Sequence, residues 1–192
     1  MAGSAKVLLA ADVCRLLDHI KFTRHPARNR VMILLSFKAG LRACEIAGLD
    51  WTAVLQADGR IGHHMNIPNS IAKMGSGRSV PLHQDLRSAL IALHKASGGP
   101  TSGPIVRSER GGRLTARSVV NWFTAVYAEL GLQGCSSHSG RRTFITLSAR
   151  LLAKTGGSLR DVQELAGHRA ITTTERYIEG DRDAQRRLIR LI

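Results

Sequence analysis

Apolar residues recur three and four positions apart through most of the chain, and this pattern predicts a mainly helical protein. The first such segment, Ala10–Lys21, carries its apolar face on Val13, Leu16 and Ile20. Further helices are predicted after Pro26, between Gly40 and Gly48, from His83 to Ala96, from Thr115 to Gly131, over residues 136–152 and from Ser158 to Gly167.

One stretch between these helices changes to a β-prone pattern. Short β-prone pieces lie around Ile61–Ile67, Ser70–Ala72 and Arg78–Leu82, and MGSG between the last two is a loop signal. We therefore expect a hairpin with Lys73 at its edge. The fold class predicted is α+β, mainly α, with a small antiparallel three-stranded sheet.

The stretch ELAGHRAITTTERYI near the C-terminus predicts a helix end, a turn and a new helix. Gly167 should end the first helix, and a Thr-x-x-Glu capping box beginning at Thr172 predicts a second helix near Thr173. His168 would then lie in the turn and Tyr177 in the opening turns of the second helix. By itself the stretch leaves two interpretations open, a packing tyrosine with a polar tip or a catalytic nucleophile.

The charge balance of the chain indicates the kind of molecule that it binds. The 192 residues include 28 Lys and Arg against 14 Asp and Glu, which gives a net charge of +14. Most of the cations are arginines, whose planar guanidinium suits bidentate phosphate contacts, so a polyanionic partner is expected. Double-stranded DNA is favoured over single strands because only 4% of residues are aromatic, and no basic amphipathic helix indicates a membrane surface. The alternative is a basic protein without a polyanionic partner.

Other kinds of chemistry find little support in the sequence. The three cysteines lack CxxC spacing, which argues against a disulfide framework or a zinc finger and indicates a reducing compartment. Histidines 63, 64, 83 and 94 match no metal-site spacing, and MGSG lacks the ending of a phosphate-binding loop, so neither a metal nor a cofactor is expected. No apolar run approaches the ~20 residues that span a bilayer, and no convincing signal peptide precedes the first helix.

Three further polar residues stand at predicted helix starts. His138 and Arg141 lie three residues apart and share a face at a helix N-terminus, which is itself an anion site. Arg42 opens the short helix of GLRACEIAGLDW. It either forms a surface ion pair with Glu45 or, as we expect, is surrounded by local structure that Glu45 positions.

Tyr127 lies in an apolar helix and is expected to be core.

Taken in order, these positions resemble the catalytic domain of the tyrosine recombinases, the phage integrase family, from about Val7 to Ile192. The positions that carry the resemblance are Arg42, Lys73, His138, Arg141, His168 and Tyr177. One departure is Ser139-Gly140, because the family often has a leucine before the arginine. A glycine in a first helical turn costs about 1 kcal/mol relative to alanine and can loosen the presentation of Arg141 without removing a functional group.

The resemblance implies a site-specific DNA recombinase that cleaves and rejoins DNA through a 3′-phosphotyrosine at Tyr177. Arg42 and Arg141 would clamp the non-bridging phosphate oxygens, and His168 would donate a further hydrogen bond to them. No metal or cofactor is needed. A type IB topoisomerase-like nicking-closing enzyme, or a non-catalytic DNA-binding regulator with the same fold, are the alternatives.

The same resemblance assigns two further roles. Lys73 would protonate the departing 5′ oxygen as general acid, unless it is an ordinary solvated loop lysine. His138 would move protons or hold the phosphate.

Residues 1–192 are expected to form a single catalytic domain, with no room for the N-terminal core-binding domain that family members usually carry. The chain would then be either an excised catalytic domain or a short recombinase that consists of this domain alone. The apolar tail Asp181–Ile192 is expected to pack onto a neighbouring subunit in a homotetramer on paired DNA sites, with a monomer possible without DNA. A cytoplasmic, nucleoid-associated location follows from the DNA partner.

Overall fold

The fold was analysed from a computed structural model, which describes residues 5–177 and 189–190. The mainly helical prediction is confirmed. The helices of the described part of the chain are α1 Ala10–His19, α2 Pro26–Lys38, α3 Ala43–Gly48, α4 Gln84–Ala96, α5 Ala116–Glu129, α6 Ser139–Thr155, α7 Leu159–Ala166 and α8 Ile171–Glu175. None of them is long and apolar enough to cross a membrane.

The sheet is smaller than the sequence predicts. Strands β1 (His64–Ile67) and β2 (Arg78–Pro81) pair antiparallel, and the described residues contain no third strand. The prediction of a strand at Ser70–Ala72 is wrong. The backbone amides of Ile71 and Ala72 donate to the carbonyl of Pro68 within a turn and not to a neighbouring strand. This turn leads into a 3₁₀ segment, Lys73–Gly75, which carries Lys73 between the two strands.

Most of the apolar side chains form one core that joins α1 to α5 and both strands. Its largest fully buried members include Trp51, Phe123 and Tyr127, so the prediction that Tyr127 is core is confirmed. A second, smaller cluster is built on Ile145 and Val162, where α6 packs on α7. Tyr177 packs against this second cluster, which therefore supports part of the candidate site.

The start of α8 differs from the prediction. The helix begins at Ile171 and its N-cap is Ala170, without a side-chain hydrogen bond, so the capping box expected from Thr172 is not formed. Tyr177 consequently follows the end of α8 and does not lie in its opening turns. The predicted tail helix, Asp181–Ile192, falls almost entirely outside the described residues.

Gly140 allows α2 and α6 to approach each other closely. A Cβ built on Gly140 would lie 2.2 Å from Ser36 Oγ and 2.9 Å from Ser36 Cβ, so Ser36 or the backbone would have to shift to make room for it. The sequence suggested that Gly140 loosens the presentation of Arg141. The structure gives the opposite role, because the glycine lets the first turn of α6 press against α2 and bury Arg141.

We expect Gly140→Ala to destabilise the protein by about 1–3 kcal/mol, because the added methyl overpacks the α2–α6 contact. Urea unfolding followed by circular dichroism measures the change. Gly112→Ala is the matched control, since a Cβ there meets no atom within 4 Å and Gly112 lacks a positive φ. Equal stability of the two variants would show that the contact is not tight.

Candidate active site

The centre of the candidate site is a contact between the buried side chains of Arg141 and His168. Arg141 lies in the first turn of α6 and is only 3% exposed. Its Nη2 donates to His168 Nε2 at 2.9 Å and to the carbonyl of Ala166 at 2.6 Å, while Nη1 donates to the carbonyl of Gly40 at 2.6 Å. The guanidinium is therefore fixed between the loop before α3 and the end of α7.

Gly167 brings His168 to this position. It ends α7 in the left-handed conformation with φ 62°, as the sequence predicted, and a Cβ there would lie 2.8 Å from Arg78 Nη1. Both the backbone angle and the space therefore require glycine. The chain turns sharply at Gly167, and His168, which is 8% exposed, comes to lie against Arg141.

The second cationic group is organised around Glu45, whose side chain is completely buried. Its Oε2 accepts from the backbone N–H of Arg42 at 2.8 Å, and its Oε1 accepts from Arg42 Nη1 at 3.1 Å. Arg42 is the N-cap of α3, and its side chain is 17% exposed. The expectation that Glu45 positions Arg42 is confirmed. The ion pair of the alternative also forms, but it is largely buried and does not lie on the surface.

Arg78 completes this group and was missed by the sequence reasoning. It forms a two-pronged contact with Glu45, with Nη1 to Oε1 at 2.9 Å and Nη2 to Oε2 at 3.1 Å. Its Nε donates to the carbonyl of Leu165 at 2.8 Å. Arg78 thus links α3, β2 and the end of α7, which are the elements that present Arg42 and His168. The pairing joins residues 33 positions apart, and the only available signal was a charged residue at the start of a β-prone piece.

Lys73 and His138 lie on the exposed rim of the site. Lys73 opens the 3₁₀ segment between the two strands, and His138 is the N-cap of α6. Partial burial lowers the pKa of His138 most, and the positive charges of Arg141, Arg42 and Lys73 lower it further. The four side chains therefore interact electrostatically, and His138 favours its neutral form.

Tyr177 is half-buried beside His168. The two rings are stacked, with centroids 5.5 Å apart and planes at 23°, and the guanidinium of Arg142 lies 5.7 Å from the tyrosine ring centre. The carbonyl of Tyr177 accepts from Thr146 Oγ1 at 3.3 Å, and the ring packs on the small apolar cluster of α6 and α7. Tyr177 is therefore held against the cationic group and is not sealed in the main core.

Burial and the neighbouring cations lower the pKa values of both His168 and Arg141. Burial lowers the pKa of His168 most, and the charges of Arg141, Arg42 and Arg78 add to the effect, so that the pKa falls to about 4. Burial, together with Arg42, also lowers the pKa of Arg141 to about 10, while Glu45 opposes this change. At neutral pH His168 is therefore uncharged and Arg141 is charged, a combination suited to an anion that arrives from outside.

The predicted site residues thus occupy one region of the molecule. Arg141, His168 and Tyr177 are in direct or ring contact. The charge of Arg42 acts on Arg141 and His168, whereas the charge of Lys73 acts on His138. Within the described ranges, 5–177 and 189–190, no three His, Cys, Asp or Glu side chains are placed to hold one metal ion.

The described fold is mainly helical and places a buried arginine and a buried histidine beside a tyrosine, in a cationic centre. The chain belongs to the phage integrase family, whose sequence model matches residues 6–183. The tyrosine recombinase XerC of Pelobacter propionicus is 30% identical over 152 residues, a match that covers 78% of this chain and 47% of that protein. The chain spans about half the length of the curated relatives it matches.

Solved structures show the same fold. The Tn1549 transposon integrase, in complex with transposon right end DNA, has a TM-score of 0.74 at 20% identity, with 99% of this chain and 67% of that chain covered. The integrase from mycobacterium phage Brujita has a TM-score of 0.61 at 28% identity and covers 86% of this chain and 50% of that chain.

Proposed function

We propose that this chain is the catalytic domain of a site-specific DNA recombinase, of the integrase or invertase type, which acts through a 3′-phosphotyrosine at Tyr177. The observation that supports this function best is the hydrogen bond between Arg141 and His168. The ring of Tyr177 stacks on the ring of this histidine. A buried cation beside a half-buried phenol is suited to attack on an anionic phosphodiester.

In this mechanism the hydroxyl of Tyr177 attacks the phosphorus in line. Negative charge develops on the non-bridging oxygens, and fixed donors stabilise it because they need no reorganisation during the reaction. Three of the five N–H hydrogens of Arg141 are already bonded within the described residues, which leaves its Nε–H and one Nη1 hydrogen for the phosphate. Arg42, held by Glu45, would supply the second guanidinium.

Lys73 and His138 serve the proton transfers in this proposal. Lys73 would protonate the 5′ oxygen as its bond to phosphorus breaks, and its place at the rim suits a group that meets the leaving strand. His138, kept neutral by its neighbours, would accept or relay a proton. The phosphotyrosine ester conserves the energy of the broken bond, so a 5′ hydroxyl from another strand can reverse the step.

Duplex DNA is the proposed partner. The net charge of +14 matches a polyanion, and the Tn1549 integrase with the same fold was solved in complex with DNA. We further propose that residues 1–192 act as one catalytic domain and assemble as a homotetramer on paired sites through the C-terminal tail. The chain would act in the cytoplasm on nucleoid DNA.

A suicide substrate tests the activity without knowledge of the target site. A library of duplexes with random cores is nicked so that the 5′ fragment is lost after cleavage, and covalent protein–DNA adducts are isolated under denaturing conditions and sequenced. We expect enrichment of one motif. Binding without adducts would indicate a DNA-binding regulator instead, and relaxation of a supercoiled plasmid that lacks the enriched motif would indicate a topoisomerase.

A further inference from the structure

The hydrogen bonds of His168 determine which of its nitrogens carries the proton. All nitrogen-bound hydrogens of an arginine donate, so His168 Nε2, 2.9 Å from Arg141 Nη2, must be the acceptor. A neutral imidazole then has its proton on Nδ1. Nδ1 lies 2.9 Å from Thr174 Oγ1, so its N–H donates to the hydroxyl of this fully buried threonine.

This tautomer does not fit the role proposed for His168. A histidine that stabilises the phosphate must donate from the nitrogen that faces Arg141, yet this nitrogen has no proton in the DNA-free protein. A carboxylate or carbonyl at Nδ1 would lock this arrangement, because such oxygens only accept. A threonine hydroxyl can also donate, so it can bond to Nδ1 whether or not that nitrogen carries a proton.

We propose that Thr174 is a positioning residue that supports both tautomers of His168, and that phosphate binding moves the imidazole proton from Nδ1 to Nε2. In the exchange Nδ1 releases its proton to water and Nε2 takes one from water, so the net charge of the ring is unchanged. The Thr174 hydroxyl then reverses its hydrogen bond and donates to Nδ1. The role on DNA rests on the proposed function, whereas the DNA-free tautomer rests on geometry alone.

The surroundings of His168 favour a tautomer exchange over simple protonation. The groups that act on the ring are the cations Arg141 on α6, Arg42 at the start of α3 and Arg78 on β2, with Tyr177 stacked on its face. These cations disfavour an imidazolium at neutral pH. A neutral ring that exchanges its tautomer avoids a second proton next to three positive charges.

Two substitutions separate hydrogen bonding from packing. Thr174→Val keeps the shape of the side chain and removes the hydroxyl, whereas Thr174→Ser keeps the hydroxyl and removes a methyl group. If Thr174 positions the proton, we expect Thr174→Ser to form covalent adducts at close to the native rate and Thr174→Val to be slower by about 10–100-fold. If Thr174 only packs, the order is reversed and the proposal is wrong.

The tautomer is measured directly in the DNA-free protein by long-range ¹H–¹⁵N correlation of the His168 ring. We expect a single Nδ1–H form in the native protein and in both variants, because Arg141 still donates to Nε2 when the Thr174 hydroxyl is removed. An Nε2–H form in the native DNA-free protein would overturn the proposal. Because this measurement needs no DNA, a native protein that forms no adduct would contradict the proposed function and leave the spectroscopic test intact.

Discussion

Tyr177→Phe is expected to abolish covalent attachment to the suicide duplexes, a loss of at least about 10³-fold, while DNA binding stays close to native. The hydroxyl is the only group removed. The known contacts of Tyr177 run through its ring, which stacks on His168 and lies near Arg142, and through its backbone carbonyl. Phenylalanine preserves all of them, so the fold and the cationic surface should be unchanged.

Denaturing gels of the trapped adduct measure the first effect, and mobility shifts on the enriched duplex measure binding. Tyr127→Phe is the matched control, because the buried Tyr127 hydroxyl has no hydrogen-bond partner among residues 5–177 and 189–190, and its loss should leave cleavage intact. Native adduct yield from Tyr177→Phe would assign the nucleophile to another residue and end the proposed mechanism.

The sequence was sufficient for the elements whose signals are local. The apolar periodicity predicted α1, α2 and α4–α7 to within a few residues, and Gly167 marked the end of α7. Glycine and periodicity act within one or two turns of a chain, so they can be read without knowledge of the fold. The prediction of a third strand was wrong because a β-prone composition does not reveal a turn. The amides of Ile71 and Ala72 donate to the carbonyl of Pro68 in such a turn.

In the candidate site, too, some features could be predicted from the sequence and others depend on how the elements pack. Six of its residues were predicted from the resemblance to the tyrosine recombinases, and the structure places Arg141, His168 and Tyr177 in contact. Their catalytic roles stay predictions. Glu45 was recognised only as the neighbour of Arg42. Its burial and its bonds to Arg78 depend on how β2 packs beside α3, which no local pattern encodes.

This buried carboxylate gives the second large prediction, which concerns stability. Glu45→Ala is expected to destabilise the fold by about 3–5 kcal/mol, because it leaves Arg78 buried without its counter-charge. The side chain of Arg78 is 6% exposed and obtains two of its hydrogen bonds from Glu45. Urea unfolding measures the loss, and Arg42 should lose its fixed position as well.

Glu164→Ala is the control, since Glu164 pairs with Arg160 on the exposed surface and should contribute less than about 1 kcal/mol. Glu45→Leu combined with Arg78→Met tests the cause. With both charges gone, no buried ion lacks a partner, so the double variant should lose less stability than the sum of its two single changes. Additive losses would show that the pair is not coupled.

The pH dependence provides an independent test of the same ion pair. Burial alone raises the pKa of Glu45, but the hydrogen bonds and charges of Arg78 and Arg42 outweigh burial and lower it below its ordinary value. The folded protein therefore binds this proton more weakly than the unfolded chain, and the stabilisation is complete above the ordinary glutamate pKa of about 4.3. It is lost as the pH falls through the lowered pKa. The difference in unfolding free energy between native protein and Glu45→Ala should consequently shrink in acid, and a difference that stayed constant from neutral pH to acid would mean that the charge of Glu45 does not stabilise the site.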